Sequence, residues 1–497
     1  MSGAFVRSRA GIAGLVLVLT AIAAALRFAT IGDQSYWYDE AITASMLDGS
    51  LADVFRGIVD TESTPPLYYV VAWLWAQIVG SDETQLRSLS ALAGTLVVPV
   101  AFAAGRAVAT TRIGFAAAAL AAVSPMLVWY SQEARAYSLL ALLGGLSFVL
   151  FGLAGADPSR RQLAWWAVVS ALAIATHYFA GFVVLAEGGL LLRAHPRVRD
   201  VRWALAGVAA FAVCLLPLAA VQASHRRLGW VGGIELAERA AEALQRLVTA
   251  GQPSSWWGAT GAEVTPYVWV AAVAVLALAA ALVTTRAVTH ERVGAMLALQ
   301  VAAVGIGLPI ALALVADLAT GGDGDYFLDR NVLGAWVPLA VFIACGLAAR
   351  RAGVAGAVCL AVLLAWSIVV YVDIATSPEL QRDDWRSVAD ALRDDDGAMV
   401  VLYPAFQSAA LVRQRPNLVD PSAPEAVDSV TLVLVGFDEP PASFRVPDGF
   451  TKSRTDEIQH FVVIEYERDG AVEIGPEDVA RGAVDESDLA VLVREAG

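Results

Sequence analysis

The sequence has little charge and little cysteine for its length. Charged residues make up 16% of the 497 residues, hydrophobic residues make up 58%, and the mean hydropathy is +0.61. Because soluble domains carry about 25% charged residues, this composition indicates a chain that lies mostly in a membrane. Cys214, Cys345 and Cys359 all fall inside apolar runs, which excludes a disulfide framework and a cysteine zinc site.

Several motifs of soluble enzymes and transporters are also missing from the sequence. It contains no Walker-type phosphate loop, no paired-histidine zinc motif and no GxSxG elbow, which excludes P-loop nucleotide-driven transport and the common hydrolases. It shows no repeat of fixed period and no matching pair of Gly/Pro-broken spans, the pattern typical of many transporters.

The acidity of the chain is confined to its C-terminal part. Residues 375–497 hold 25 acidic and 11 basic side chains, which accounts for the whole net charge of −14. An acidic surface repels phosphate, so the charge disfavours nucleic acid as a partner. Solubility of this part is the simplest interpretation of its charge.

Long apolar runs predict a polytopic α-helical membrane protein. About 20 helical residues cross the roughly 30 Å of hydrocarbon, and eleven runs approach this length. They occur at 11–31, 84–105, 112–130, 137–155, 161–176, 178–192, 203–222, 266–285, 293–316, 331–348 and 352–372. A twelfth segment, 66–80, is shorter and rich in Tyr and Trp, which favours a helix lying in the membrane interface.

The distribution of arginine predicts the topology. If 66–80 does not cross, the short basic connections share one side of the membrane, which the positive-inside rule makes cytoplasmic. These connections contain Arg7, Arg9, Arg106, Arg112, Arg160, Arg161, Arg193, Arg197, Arg199, Arg202, Arg286, Arg292, Arg350 and Arg351. We therefore predict a multi-pass protein of a bacterial plasma (inner) membrane with about eleven spans, a cytoplasmic N-terminus, and an extracytoplasmic loop at 32–83 that contains the interfacial helix. A cleaved signal peptide is the alternative for the first run.

The pattern changes after residue 375. An amphipathic helix is predicted at 384–393, and strand-like runs follow at 399–406, 429–437 and 460–467. We predict a transmembrane domain at 1–375 and a small extracytoplasmic acidic α/β domain at 376–497, with a weakly ordered acidic end.

The first outer loop carries the clearest candidate for chemistry. Trp37 lies in an aromatic cluster that is followed at once by the acid pair Asp39 and Glu40. Carboxylates beside rings that stack on a sugar are suited to general-base catalysis. The alternative is an aromatic belt with solvated acids. Farther along, Ser50 and Asp53 predict a capping box.

A second polar group lies at the outer end of the third span, where Glu133 and Arg135 are flanked by tyrosines that include Tyr137. Charges between two apolar runs are costly unless they are paired or face a polar cavity. The group is therefore either part of a site or a simple Glu133/Arg135 pair.

Other outward-side residues complete the set of candidates. Arg330 is placed where a lipid phosphate would lie, and guanidinium groups bind phosphate oxygens bidentately; an ion pair with Asp329 or Asp325 is the alternative. The remaining candidates are His177, Tyr178, Tyr326, the mid-span Glu187, and a loop at 223–265 with His225, Arg226, Arg227, Trp230, Trp256 and Trp257. Glu187 is either functional or a satisfied contact inside the bundle.

Taken together, the chain resembles the GT-C membrane glycosyltransferases, within them the family 39-like group of protein O-mannosyltransferases and lipid A aminoarabinose transferases. The resemblance covers about residues 1–375. It is carried by YWYDEA at 36–41, STPPLYY at 63–69, LRSLSALAG at 86–94, WYSQEARAY at 129–137, THYFA at 176–180 and DRNVLGAWVP at 329–338.

The resemblance implies inverting transfer of a mannose-like or other hexose or pentose from a polyprenyl-phosphate donor to an acceptor hydroxyl outside the cytoplasm. Asp39 matches the first-loop acid that accepts the proton, and Glu40 would orient it or the sugar. Glu133 stands where relatives often carry a second-loop acid. Arg330, with Arg135, resembles the basic group that steadies the donor phosphate.

The resemblance leaves some questions open. Certain relatives use a divalent cation, but the first loop lacks a DxD-like triplet, so no cofactor is assigned. The acceptor is a glycan, a glycolipid or a protein. Alternative functions are a lipid-diphosphate glycan polymerase or ligase, a transporter or flippase, and a non-catalytic scaffold for envelope assembly.

Overall fold

The computed structural model describes residues 8–225, 231, 234–249, 266–320, 326–393, 397–421, 423–480 and 489–494. Contacts divide the chain into two compact units. Within the described residues, the first unit comprises 8–31, 46–249 and 266–373, and the second comprises 32–45 and 374–494. Arg7, Arg226, Arg227, Trp230, Trp256, Trp257 and Asp325 lie outside the described residues.

Helices dominate the chain up to residue 376. In chain order they are α1 (Arg9–Phe28), α2 (Tyr38–Leu47), α3 (Leu51–Asp60), α4 (Leu67–Val79), α5 (Glu83–Val108), α6 (Thr111–Val123), α7 (Pro125–Ser131), α8 (Tyr137–Ala156), α9 (Arg160–Thr176), α10 (Ala180–Ala194), α11 (Arg199–Ser224), α12 (Leu236–Val248), α13 (Pro266–Thr285), α14 (Thr289–Thr320), α15 (Trp336–Leu347) and α16 (Gly353–Thr376). A 3₁₀ helix, Asp329–Ala335, precedes α15.

The described residues confirm a polytopic membrane protein. Eight of their helices are long and apolar enough to cross a bilayer, or nine if α6 and α7, bent by 55°, form one span. All eleven predicted runs are helical, but α9 and α10 have only 17 and 15 residues. At 1.5 Å per residue they reach about 26 and 22 Å, short of a full crossing. The 13 residues of α4 are likewise too few to cross.

At the break between α6 and α7, an arginine of α1 donates hydrogen bonds to two carbonyl groups at the end of α6. Pro125 begins α7 and has no N–H to donate to the carbonyl four residues earlier. Arg27, which is fully buried, donates to that carbonyl oxygen, on Ala121, at 3.0 Å, and to the Ala122 oxygen at 3.1 Å. The guanidinium thus replaces a missing backbone donor.

The loop helices follow the local signals in the sequence. Ser50 caps α3, and its N–H donates to Asp53 Oδ2 at 2.8 Å, so the predicted capping box is present. Asp replaces the usual Glu at this position without loss of the reciprocal bond.

The second unit contains a six-stranded sheet. Its strands are β1 (Ala398–Tyr403), β2 (Leu418–Val419), β3 (Glu425–Val435), β4 (Thr451–Ile458), β5 (Phe461–Ile474) and β6 (Ala490–Arg494). Their order is β2-β6-β1-β3-β5-β4, and β1 and β3 are parallel whereas the other pairs are antiparallel. Helices α17 (Trp385–Ala391), α18 (Ser408–Gln414) and α19 (Pro476–Val479) accompany the sheet.

The small α/β domain predicted after residue 375 is therefore present. The predicted helix and the three predicted strands correspond to α17, β1, β3 and β5, whereas β2, β4 and β6 were not predicted. The expectation of a weakly ordered end is wrong for residues 490–494, because β6 pairs with both β1 and β2. Residues 481–488 lie outside the described chain.

Candidate active site

In the first unit, the turn between α7 and α8 is fixed by neighbouring helices. Gln132 Nε2 donates to Thr30 Oγ1 at 2.8 Å and to the Arg27 carbonyl at 3.1 Å. Ser90 Oγ donates to the Arg135 carbonyl at 3.3 Å. These bonds hold the polar segment 131–137 in one conformation between two apolar helices.

Arg135 forms a buried bidentate ion pair with Glu62. Its two terminal nitrogens lie 2.6 and 3.0 Å from Glu62 Oε1 and Oε2, and both side chains are at most 10% exposed. The Arg135 guanidinium lies 5.9 Å from the Tyr69 ring, whose hydroxyl is 2.9 Å from Thr64 Oγ1. Sequence reasoning did not select Glu62, although it directly precedes the STPPLYY segment.

Arg330 lies against the same polar turn. Its guanidinium carbon is 5.5 Å from the centre of the Tyr137 ring, which is 6.1 Å from His177 and 5.1 Å from Tyr130. His177 interacts electrostatically with Arg330 and Arg135, and its Nδ1 accepts a hydrogen bond from the Phe179 N–H at 3.3 Å. The three sequence segments that carry these residues, 129–137, 176–180 and 329–338, therefore lie close together in the fold.

The structure brings most of the first-unit candidates together. Electrostatic interactions connect Tyr130 with Glu133, Arg330, Arg246 and Asp329. Five predicted site residues lie in this cluster and are 1–8% exposed: Glu133, Arg135, Tyr137, His177 and Arg330. The cluster combines two guanidinium groups, acids and aromatic rings in a largely dehydrated environment, where charge interactions are stronger than in water.

A second ion pair lies beside Arg330. Arg246 on α12 contacts Asp329 Oδ2 at 3.0 Å and Glu242 Oε1 at 2.6 Å. Asp329, considered above as a partner of Arg330, is thus engaged by Arg246. Nothing in the local sequence around 242–246 indicated this role, because it depends on how α12 packs.

Three other candidates have different surroundings. Tyr178 donates its hydroxyl to Gln222 Oε1 at 2.8 Å, and the Tyr326 carbonyl accepts from Asn331 Nδ2 at 2.9 Å. Glu187 accepts from Trp166 Nε1 at 2.8 Å and from Ser147 Oγ at 3.1 Å. The interpretation of Glu187 as a satisfied bundle contact is confirmed.

In the second unit, the acid pair lies in the first turn of α2. Backbone N–H groups and the helix dipole favour carboxylates at this position. Asp39 is partly exposed, whereas Glu40 is fully buried. Trp37 is also buried. Asp39 is therefore the more accessible of the two acids.

Asp383 is a buried acid of the second unit that sequence reasoning missed. Burial raises the pKa of its carboxyl to about 7, although Arg382 acts in the opposite direction. A carboxyl with a raised pKa in the folded state holds its proton more tightly there than in the unfolded chain, where its pKa is about 4. Its contribution to stability is therefore fully present below about pH 4 and is lost as the pH rises through about 7.

We expect this unit to become less stable between about pH 4 and about pH 7 because of Asp383. Hydrogen exchange of β5 should show a smaller loss of protection over this range in Asp383→Asn than in the natural protein, measured against intrinsic exchange rates at each pH. Equal losses in the two proteins would contradict the prediction.

A divalent-ion site is not apparent among the described residues. Within that part of the chain, no group of three or more His, Cys, Asp or Glu side chains is placed to hold a metal ion.

Part of the chain is similar to a known protein family, and solved structures with weak similarity to the chain exist. Residues 63–220 match the family model described as dolichyl-phosphate-mannose-protein mannosyltransferase. A comparison with curated proteins gives no match. Among solved structures, apo ArnT from Cupriavidus metallidurans is similar with a TM-score of 0.40 and 14% identity, over 91% of this chain and 98% of that chain. The oligosaccharyltransferase AglB from Archaeoglobus fulgidus gives 0.44 and 10%, over 85% and 69%.

The family match includes the turn with Glu133 and Arg135 and the residue His177. The predicted resemblance to the protein O-mannosyltransferases is confirmed over residues 63–220.

Proposed function

We propose that this protein transfers a mannose-like or other hexose or pentose from a polyprenyl-phosphate donor to an acceptor hydroxyl on the extracytoplasmic face, with inversion. The observation that carries the proposal is the buried cluster of Arg135, Arg330, Tyr137 and His177, part of which lies in the segment that matches a mannosyltransferase family. Because the name of that family specifies a dolichyl-phosphate sugar, the match supports a polyprenyl-phosphate donor.

The chemistry of such a transfer fits the side chains. Loss of phosphate from an anomeric carbon develops positive charge on the sugar and negative charge on the leaving phosphate. Arg330 binds the phosphate, and Arg135, held by Glu62, adds positive potential nearby. Asp39 removes the proton from the acceptor hydroxyl, and Glu40 orients Asp39 or the sugar. Glu133 contributes negative charge beside Tyr130, where it favours a positively charged sugar ring.

The proposal is tested with purified protein in liposomes. A panel of short-chain polyprenyl monophosphate sugars, each offered with membrane glycolipid, glycan and protein acceptors, should give transfer with an inverted anomeric configuration. Activity with diphosphate donors alone would support a polymerase or ligase instead. Movement of lipid across the bilayer without transfer would support a flippase.

Arg330 gives a direct test of the donor site. A hydrogen bond to a charged group contributes about 1.5–3 kcal/mol, so Arg330→Gln is expected to lower kcat/KM for the donor by about 10- to 100-fold. Arg351→Gln changes an exposed arginine and should leave kcat/KM within about twofold. Equal kinetics in the Arg330 variant and the natural protein would remove this residue from the donor site.

A further inference from the structure

The segment immediately before Asp39 is held by residues that lie more than 340 positions later in the chain. Arg386 on α17 donates from one terminal nitrogen to the Gly32 carbonyl at 3.0 Å and to the Gln34 carbonyl at 2.9 Å. The backbone N–H of Arg382 donates to Gln34 Oε1 at 2.9 Å. These bonds fix both the main chain and a side chain of the segment.

Ser35 adds two hydrogen bonds of its own. Its hydroxyl donates to the Asp383 carbonyl at 2.8 Å and accepts from the Trp385 N–H at 2.9 Å. Ser35 is only 1% exposed, so water does not compete for these bonds. The hydroxyl therefore joins the segment to the backbone at the beginning of α17.

Two aromatic contacts attach the residues that lie between Ser35 and Asp39. The Arg413 guanidinium lies 6.0 Å from the Tyr36 ring, and Phe406 makes an edge contact with Tyr38 at 5.1 Å. Tyr38 is the first residue of α2, and Asp39 is the second. The attachment thus reaches the helix turn that carries the acid.

We propose that the C-terminal α/β domain positions the catalytic acid. The main positioning residues are Arg386 in the domain and Ser35 in the segment that the domain holds. This inference rests on the proposed role of Asp39. A base contributes to catalysis only when it is held within hydrogen-bond reach of the acceptor proton, and small displacements cost large factors in rate. The bonded residues Gly32, Gln34 and Ser35 lie directly before α2, so their attachment restrains the position of the Asp39 carboxylate.

The test measures the order of the segment separately from activity. In Arg386→Ala, amide hydrogen exchange of residues 33–45 should speed up by about tenfold or more. The kcat for transfer should fall by about tenfold while KM for the donor stays within about twofold. Arg386→Lys keeps a cationic donor and should restore part of both effects. Arg454→Ala, which removes a largely exposed ion pair with Asp456 in the same domain, should change neither.

The exchange of β5 reports whether the domain stays folded. If Arg386→Ala speeds up the hydrogen exchange of β5, that variant has disturbed the domain itself. Ser35→Ala then replaces it as the test, because this substitution removes two hydrogen bonds of the attachment without changing the domain. Faster exchange of 33–45 with unchanged kcat, or unchanged exchange, would overturn the proposal. Absence of sugar transfer by the natural protein would count against the proposed function, while the exchange result would still test the attachment.

Discussion

Asp39→Asn is expected to lower kcat for sugar transfer by about 10²- to 10⁴-fold, the range that a positioned general base contributes. The amide has nearly the same shape as the carboxylate but does not accept the proton of the acceptor hydroxyl. Because Asp39 is partly exposed at the beginning of α2, the substitution should leave expression and thermal stability close to those of the natural protein.

A control variant separates the loss of the base from the loss of one negative charge. Asp60→Asn changes an exposed acid at the end of α3 and should retain nearly full activity. Transfer rates are compared in liposomes at saturating donor and acceptor. Normal turnover by the Asp39 variant would refute its assignment as the base and would direct attention to Glu133.

The ion pair between Glu62 and Arg135 should produce the largest change in stability. Removing one partner of a buried pair leaves the other charge without compensation, at a cost of about 3–5 kcal/mol. We therefore expect Glu62→Gln and Arg135→Gln each to lower the free energy of unfolding by this amount, measured by denaturation in mixed micelles.

The double variant distinguishes this ion pair from general sensitivity of the region. Glu62→Gln combined with Arg135→Gln should cost clearly less than the two single effects added together, because no isolated charge remains buried. Arg56→Gln, which breaks an exposed pair with Asp53, should leave the free energy of unfolding nearly unchanged, because water screens the pair. Simple additivity of the two buried changes would contradict the predicted coupling.

Hydropathy and charge made much of the architecture predictable. The apolar runs located the helices, and the change of pattern after residue 375 located the sheet. The number of crossings was less predictable, because a nearly continuous apolar stretch from 161 to 192 contains a turn at His177 that divides it into two short helices. The strand β6 was missed because its short apolar run follows an acid-rich stretch.

The candidate site was predictable in its residue types but not in its pairings. Charged and aromatic residues beside apolar runs identified Arg135, Tyr137 and Arg330. The partners Glu62 and Arg246 are 73 and 83 residues from the groups that they contact, and only helix packing brings them there. Arg27 did carry a signal, since an arginine within an apolar span requires a partner, but the carbonyl that it satisfies is 94 residues away.

The position of β6 has a consequence for the biosynthesis of the protein. Residues 490–494 lie between β1 and β2, so the sheet lacks an interior strand until translation has reached them. Residues 32–45 emerge from the ribosome hundreds of residues earlier, yet their partners at 382–386 belong to that same unit. Such long sequence separation slows folding. Residues 32–45 therefore wait through the synthesis of every later described helix of the first unit before their partners at 382–386 are made.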